Sequence, residues 1–131
     1  MAGRTRKEIN MGYESRLYVI DKCEHESLKH DGKFWGQVIA SFDLSRIDEE
    51  PLEKFLSYPQ TDCYIFAGDR GEVSTDMYGE PIREMPLEDA IEILEDAEIK
   101  EHYRRYLPCI GMLKGFHKKD WGNLVVLHYG Y

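Results

Sequence analysis

The sequence predicts a single α+β domain in which an antiparallel sheet of four to five strands packs against two or three helices. Three observations predict it. Runs rich in β-branched and aromatic residues, several alternating with period two, occur near the start, in the middle and at the end of the chain. Between them lie two stretches whose apolar residues recur at helical spacing. Finally, 131 residues with two Trp, nine Tyr and five Phe suffice for one packed core and are too few for two.

Each element follows from its residues. The opening MAGRTRKEIN has no apolar run, so residues 1–10 are expected to be a flexible basic extension rather than a secretory signal, with the domain spanning 11–131. In SRLYVID, Leu17 and Val19 alternate with Arg16 and Tyr18, which predicts a strand over 16–21. A polar connection with a turn at Asp31-Gly32 leads to FWGQVIASFDL, a longer strand over 34–43. Ser45 and Asp48 have the spacing of a capping box, and Leu52, Phe55 and Leu56 give one apolar face to a helix over 48–57, which Tyr58-Pro59 ends. CYIFA reads as a third strand over 63–67, Asp69-Arg70-Gly71 as a turn and EVST as a short return strand. In DMYGEP, Gly79 supplies a positive φ and Pro81 closes the turn.

Pro86 stands at a helix start, and Leu87, Ala90, Ile91 and Leu94 recur at i, i+3, i+4 and i+7. That helix is expected over 86–97, bending near Ala97–Ile99, with a second helical stretch ending at Leu107 before Pro108. CIGMLKGFHKKDWG has no single period, and NLVVLHYGY gives a last strand over 124–129. The expected core comprises Leu17, Val19, Val38, Ile39, Phe42, Phe55, Ile65, Ile91, Leu94, Val126 and Leu127.

Charge is unevenly placed. Residues 1–42 carry net +1, residues 43–101 net −13 and residues 102–131 net +4, which sum to −8. An acidic centre of this size repels phosphate, so direct nucleic-acid binding is not expected. No apolar run is long enough for a membrane span. Three cysteines, Cys23, Cys63 and Cys109, suit neither a disulfide framework nor a metal knuckle, and the expected setting is a reducing cytoplasm.

The acidity concentrates in PLEDAIEILEDAEIKEH, where Glu88, Asp89, Glu92, Glu95, Asp96, Glu98 and Glu101 stand with a single lysine. Helical spacing sets Glu88, Glu92 and Glu95 on one exposed line with Asp89 and Asp96 beside it. Like charges one turn apart cost roughly 0.2–0.5 kcal/mol per pair on an isolated helix. Only Glu88 and Asp89 are close enough to the helix N-terminus to recover part of that from its dipole. Plain solvation explains such a face. So does a basic partner, because carboxylates one turn apart, about 6 Å, come near the phosphate spacing of a nucleic-acid strand. Glu88, Asp89, Glu92, Glu95 and Asp96 are therefore the candidate partner-binding residues.

Other clusters carry less. Cys23, His25 and His30 form a C-x-H-x4-H set of zinc-ligand types, an alternative that needs a fourth ligand such as His117 or His128. A solvated loop accounts for the same residues, and the expected metal content is little zinc or none, with no other cofactor. Asp43, Asp62, Asp69 and Asp76 sit where turns place Asp, and GDRGE lacks the lysine of a phosphate loop. Ser41, Ser45 and Ser57 have no nucleophile elbow, so no enzyme is expected.

The phrases MGYESRLYVIDK, ASFDLS, YPQTDCYIFAGD with DMYGEP, YRRYLPCIGMLKGF and WGNLVVLHYGY lie in this order over residues 11–131. Together they resemble small proteins encoded by phages and prophages of Gram-positive bacteria. That resemblance implies an accessory or inhibitor protein in the host cytoplasm, of the class that includes anti-CRISPR proteins. Its implied partner is a basic surface of a host protein, such as the nucleic-acid groove of an RNA-guided nuclease.

Overall fold

A computed structural model describes residues 13–23, 32–67, 70–119 and 123–131. The elements run β1 (Ser15–Cys23), β2 (Phe34–Ser45), α1 (Glu49–Leu56), β3 (Cys63–Phe66), β4 (Glu72–Val73), β5 (Arg83–Met85), α2 (Leu87–Glu101), α3 (Tyr106–Lys119) and β6 (Leu124–Gly130). The six strands form one sheet in the order β4-β3-β2-β1-β6-β5. The class is α+β, as the sequence implies.

β1 holds the centre, antiparallel to β2 on one side and to β6 on the other, with Leu17 between Phe42 and His128. Both of its faces are covered. Leu17 and Val19 join a core with Leu44, Leu52, Phe55, Met85, Leu94, Tyr106, Leu113 and Val126, built from the sheet and all three helices. Tyr18 and Ile20 join a second core with Cys63, Ile65, Ile82, Leu127 and Tyr129 on the other face, which the curled β3 end and the chain before β5 close over. A strand buried on both faces loses its polar alternation, which is why LYVI reads as a continuous apolar run. Tyr13 extends the first core past β1: its hydroxyl donates to the buried Asp76 carboxylate at 3.0 Å, and its ring crosses Gly130. A Cβ at residue 130 would run into that ring, so the close approach requires glycine there.

Several expectations change. The sheet is mixed, because β3 lies parallel to β2 through Phe34↔Cys63 and Trp35↔Tyr64. The reason is topological: α1 returns the chain to the starting end of β2, and a helical crossover joins parallel strands. There are six strands rather than four or five, since β5 is three residues long and carries no periodic signal. Val38, Ile39 and Phe42, expected in the core, are half-buried. β3 accompanies β2 only at Phe34 and Trp35, so the rest of the outer edge of β2 has no strand neighbour among the described residues. Leu17, Val19, Phe55, Ile65, Ile91, Leu94, Val126 and Leu127 are buried as expected.

Helix boundaries move as well. Ser45 does not cap α1; it ends β2 in the left-handed region at φ 59, and Asp48 takes the cap position without a side-chain bond. α2 does not bend near Ala97 but continues to Glu101, where His102 at φ 55 stops it. α3 begins at Tyr106 and runs through Pro108. In the first turn the missing N–H of a proline costs no bond, because those N–H groups have no helical acceptor. Gly79 has the expected positive φ of 76, whereas Asp69 and residues 1–10 lie outside the described residues.

Candidate functional site

Packing sets the orientation of α2. Leu87, Ala90, Ile91, Leu94 and Ala97 are buried, which turns Glu88, Glu92 and Glu95 outward and puts Asp89 and Asp96 on the flank facing α1. Between α1 and α2 lies an open groove of about 660 Å³, lined by Lys54, Tyr58, Asp89, Glu92, Ile93 and Asp96 among others. The candidate partner-binding residues thus lie together on and beside one surface groove.

Most of their charge is already met from within the chain. Lys54 Nζ lies 2.9 Å from Asp96 and 3.6 Å from Glu50, while Lys100 Nζ lies 2.8 Å from Glu50 and 3.3 Å from Asp96. These four alternating charges tie α1 to α2, and hydrogen bonds from the two lysines hold the Asp96 carboxyl below its usual range. Tyr58 donates to Asp89 at 2.9 Å; burial and that carboxylate push its hydroxyl up to about 12. Glu95 pairs with Lys114 of α3 at 2.8 Å, and Glu88 lies 3.6 Å from His117 Nε2. The repulsion expected along the helix is therefore largely offset by its neighbours. Glu92 is the exception: exposed, with neither an ion pair nor a side-chain hydrogen bond among the described residues. Lys54, Tyr58 and Lys114, which shape the site, are 19 to 42 residues from the carboxylates they meet; only Glu50–Lys54 and Asp96–Lys100, each at i, i+4, were readable as pairs.

The zinc alternative lies largely outside the described residues. His25 and His30 are not among them, and only the backbone of Cys23, paired with Trp35, is described. His128 cannot complete such a set: it pairs with Leu17, six residues along β1 from Cys23, a separation of about 20 Å. Elsewhere, carboxylate oxygens of Asp62 and Glu84 and the Cys63 sulfur lie within 4.8 Å of one another. A cation already satisfies the carboxylates, since Lys22 Nζ is 2.9 Å from Asp62 and 3.0 Å from Glu84. Burial pushes the Cys63 and Cys109 thiols up to about 12, which removes them as nucleophiles near neutral pH.

His128 and Ser15 form a pair that sequence reading missed, with Nε2 2.9 Å from Oγ. Both residues are 1% exposed, which leaves no room for a substrate. The Phe55 ring stacks on the imidazole at 5.3 Å, so the pair is part of the core. Burial first, and the Arg83 guanidinium second, drive the His128 pKa from 6.5 down to about 3. Below pH 6.5 the unfolded chain therefore takes a proton that the folded chain refuses. This share of stability is full above pH 6.5 and fades as pH falls toward 3. It amounts to about 2 kcal/mol between pH 6.5 and 5. Urea denaturation at pH 7.5 and 5 checks it: His128→Gln should lose less stability on acidification than the native chain. The comparison separates the histidine from Asp76 and Glu101, whose burial-raised pKa values act in the opposite sense.

No helix among the described residues is long and apolar enough to cross a membrane. No family model, curated protein or solved structure matches this chain.

Proposed function

We propose that this chain is a non-enzymatic binding protein that sets the α1–α2 groove against a basic surface of a host protein. The observation that carries this reading is Glu92, exposed at the groove and without an ion partner among the described residues, in line with Glu88 and Glu95 and beside Asp89 and Asp96. Ionic ties between α1 and α2 hold this constellation in place, so its order is not gained at the expense of binding. The resemblance to small phage and prophage proteins favours an inhibitor, and the acidic spacing favours the nucleic-acid groove of an RNA-guided nuclease as its target.

The experiment is a cleavage assay with a panel of purified RNA-guided nucleases and their target DNA, titrated with this chain. Stoichiometric inhibition of at least one nuclease is expected, relieved by Glu92→Lys and competed by DNA. Full cleavage across the panel, or inhibition insensitive to Glu92→Lys, would count against it.

A further inference from the structure

We propose that two copies of this chain associate through the outer face of the α2–α3 hairpin, with α2 of each copy lying on α3 of the other. The inference goes beyond the groove, with which it shares Glu92, Glu95 and Ile99, and is argued from the hairpin. Near the hairpin's tip, Ile99 on α2 is 70% exposed and Leu107 on α3 is 58% exposed. Each is a large apolar side chain that water covers at a cost.

The charges of this face match those of its own copy. α2 presents Glu88, Glu92 and Glu95, and α3 presents Lys114 and Lys118. A basic partner spanning both helices would be opposed by the lysines of α3, and an acidic one by the glutamates of α2. A second copy related by a two-fold axis along the hairpin meets neither conflict, because each acidic helix then faces a basic one. The level of contact follows from the intrachain pair Glu95–Lys114 at 2.8 Å. In an antiparallel hairpin, moving four residues from Glu95 toward the tip reaches the level of Ile110, and moving three away reaches that of His117, next to Lys118. Such an axis therefore brings Ile99 of the second copy to the level of Ile110, between Leu107 and Gly111, and Glu92 of the second copy to the level of His117, within reach of Lys118. Glu92 and Lys118 are both exposed and have no ion partner among the described residues.

The glycines of α3 fit the same contact. Gly111 and Gly115 are exposed, and a Cβ at either would meet nothing within 4 Å. Neither has a positive φ. Each costs a helix interior about 1 kcal/mol relative to alanine, and no contact among the described residues requires either. A helix lying across them would.

Sedimentation equilibrium of the full chain from low to high micromolar concentration tests the proposal, with thermal melting in parallel. A monomer–dimer equilibrium is expected. Gly111→Ala with Gly115→Ala should raise the melting temperature of the monomer while weakening the dimer at least tenfold. Those two effects have opposite sign, so a folding defect cannot mimic them. Glu92→Lys and Lys118→Glu should each weaken self-association, and the two together should restore it. A monomer at every concentration, a dimer indifferent to the alanines, or a double reversal that fails to restore association would overturn the proposal. Because only this chain is present, each of those outcomes leaves the groove reading untouched.

Discussion

Phe55→Ala is expected to cost about 3–5 kcal/mol, the range for removing a fully buried phenylalanine from a packed core. Phe55 is 0% exposed, and its ring lies flat against His128 at 5.3 Å with 16° between the planes. α1 has eight residues, too few to hold helical form in water without packing, and it buries only Pro51, Leu52 and Phe55. Removing the largest of these loosens the helix that carries Lys54 and leads to Tyr58, one wall of the groove. Surface ion pairs such as Lys54–Asp96 are worth at most about 1 kcal/mol each and cannot replace it. Urea denaturation should show a lower midpoint with an unchanged slope, and amide exchange at residues 52–56 should accelerate. Phe55→Leu should recover part of the loss. A cost below about 1 kcal/mol would mean that α1 is held by something other than this ring.

The sequence announced those elements whose residues carry their own period. α2 shows it best, because Leu87, Ala90, Ile91 and Leu94 keep one face apolar, and all four are buried. β1, β2 and β6 were legible from their β-branched and aromatic content. The parallel pairing of β2 with β3 was not, because it depends on where α1 returns the chain, not on any residue of either strand. The half-burial of Val38, Ile39 and Phe42 has the same origin: being at an edge is a property of topology. α3 was obscured by Pro108, Gly111 and Gly115, three weak helix formers in one 14-residue helix. Pro108 is excused by its place in the first turn, and the glycines by the open face they occupy. At the site, the line of carboxylates and the Asp96–Lys100 spacing could be read from the sequence, whereas Lys54 and Lys114, which neutralise the rest, come from α1 and α3. Distance in sequence conceals such partners, and so composition overstated the free charge of this surface.

Glu92→Lys is expected to slow association with a nuclease that the chain inhibits by about tenfold at low salt, and to flatten the dependence of that rate on salt. Opposite patches attract over distances that shrink as the screening length falls to about 8 Å near 0.15 M, so the loss should narrow as salt rises. Glu92 is the informative position, because its charge is not compensated by any ion pair among the described residues. Adding Glu95→Lys should deepen the effect, but it also breaks the pair with Lys114 and sets two lysines together, a small cost in stability. Asp96 behaves differently: Asp96→Asn frees Lys54 and Lys100 from a shared carboxylate, turning that wall of the groove positive. It should slow association although it reverses no charge. Stopped-flow kinetics at several salt concentrations, run at nanomolar protein to hold the chain monomeric, measures all three variants. Melting temperatures serve as the control, since a change at an exposed, unpaired position alters stability by no more than about 0.5 kcal/mol. An on-rate and salt slope that Glu92→Lys leaves unchanged would reduce the acidic line to a solvated face. Any binding at the groove would then rest on Tyr58 and Ile93.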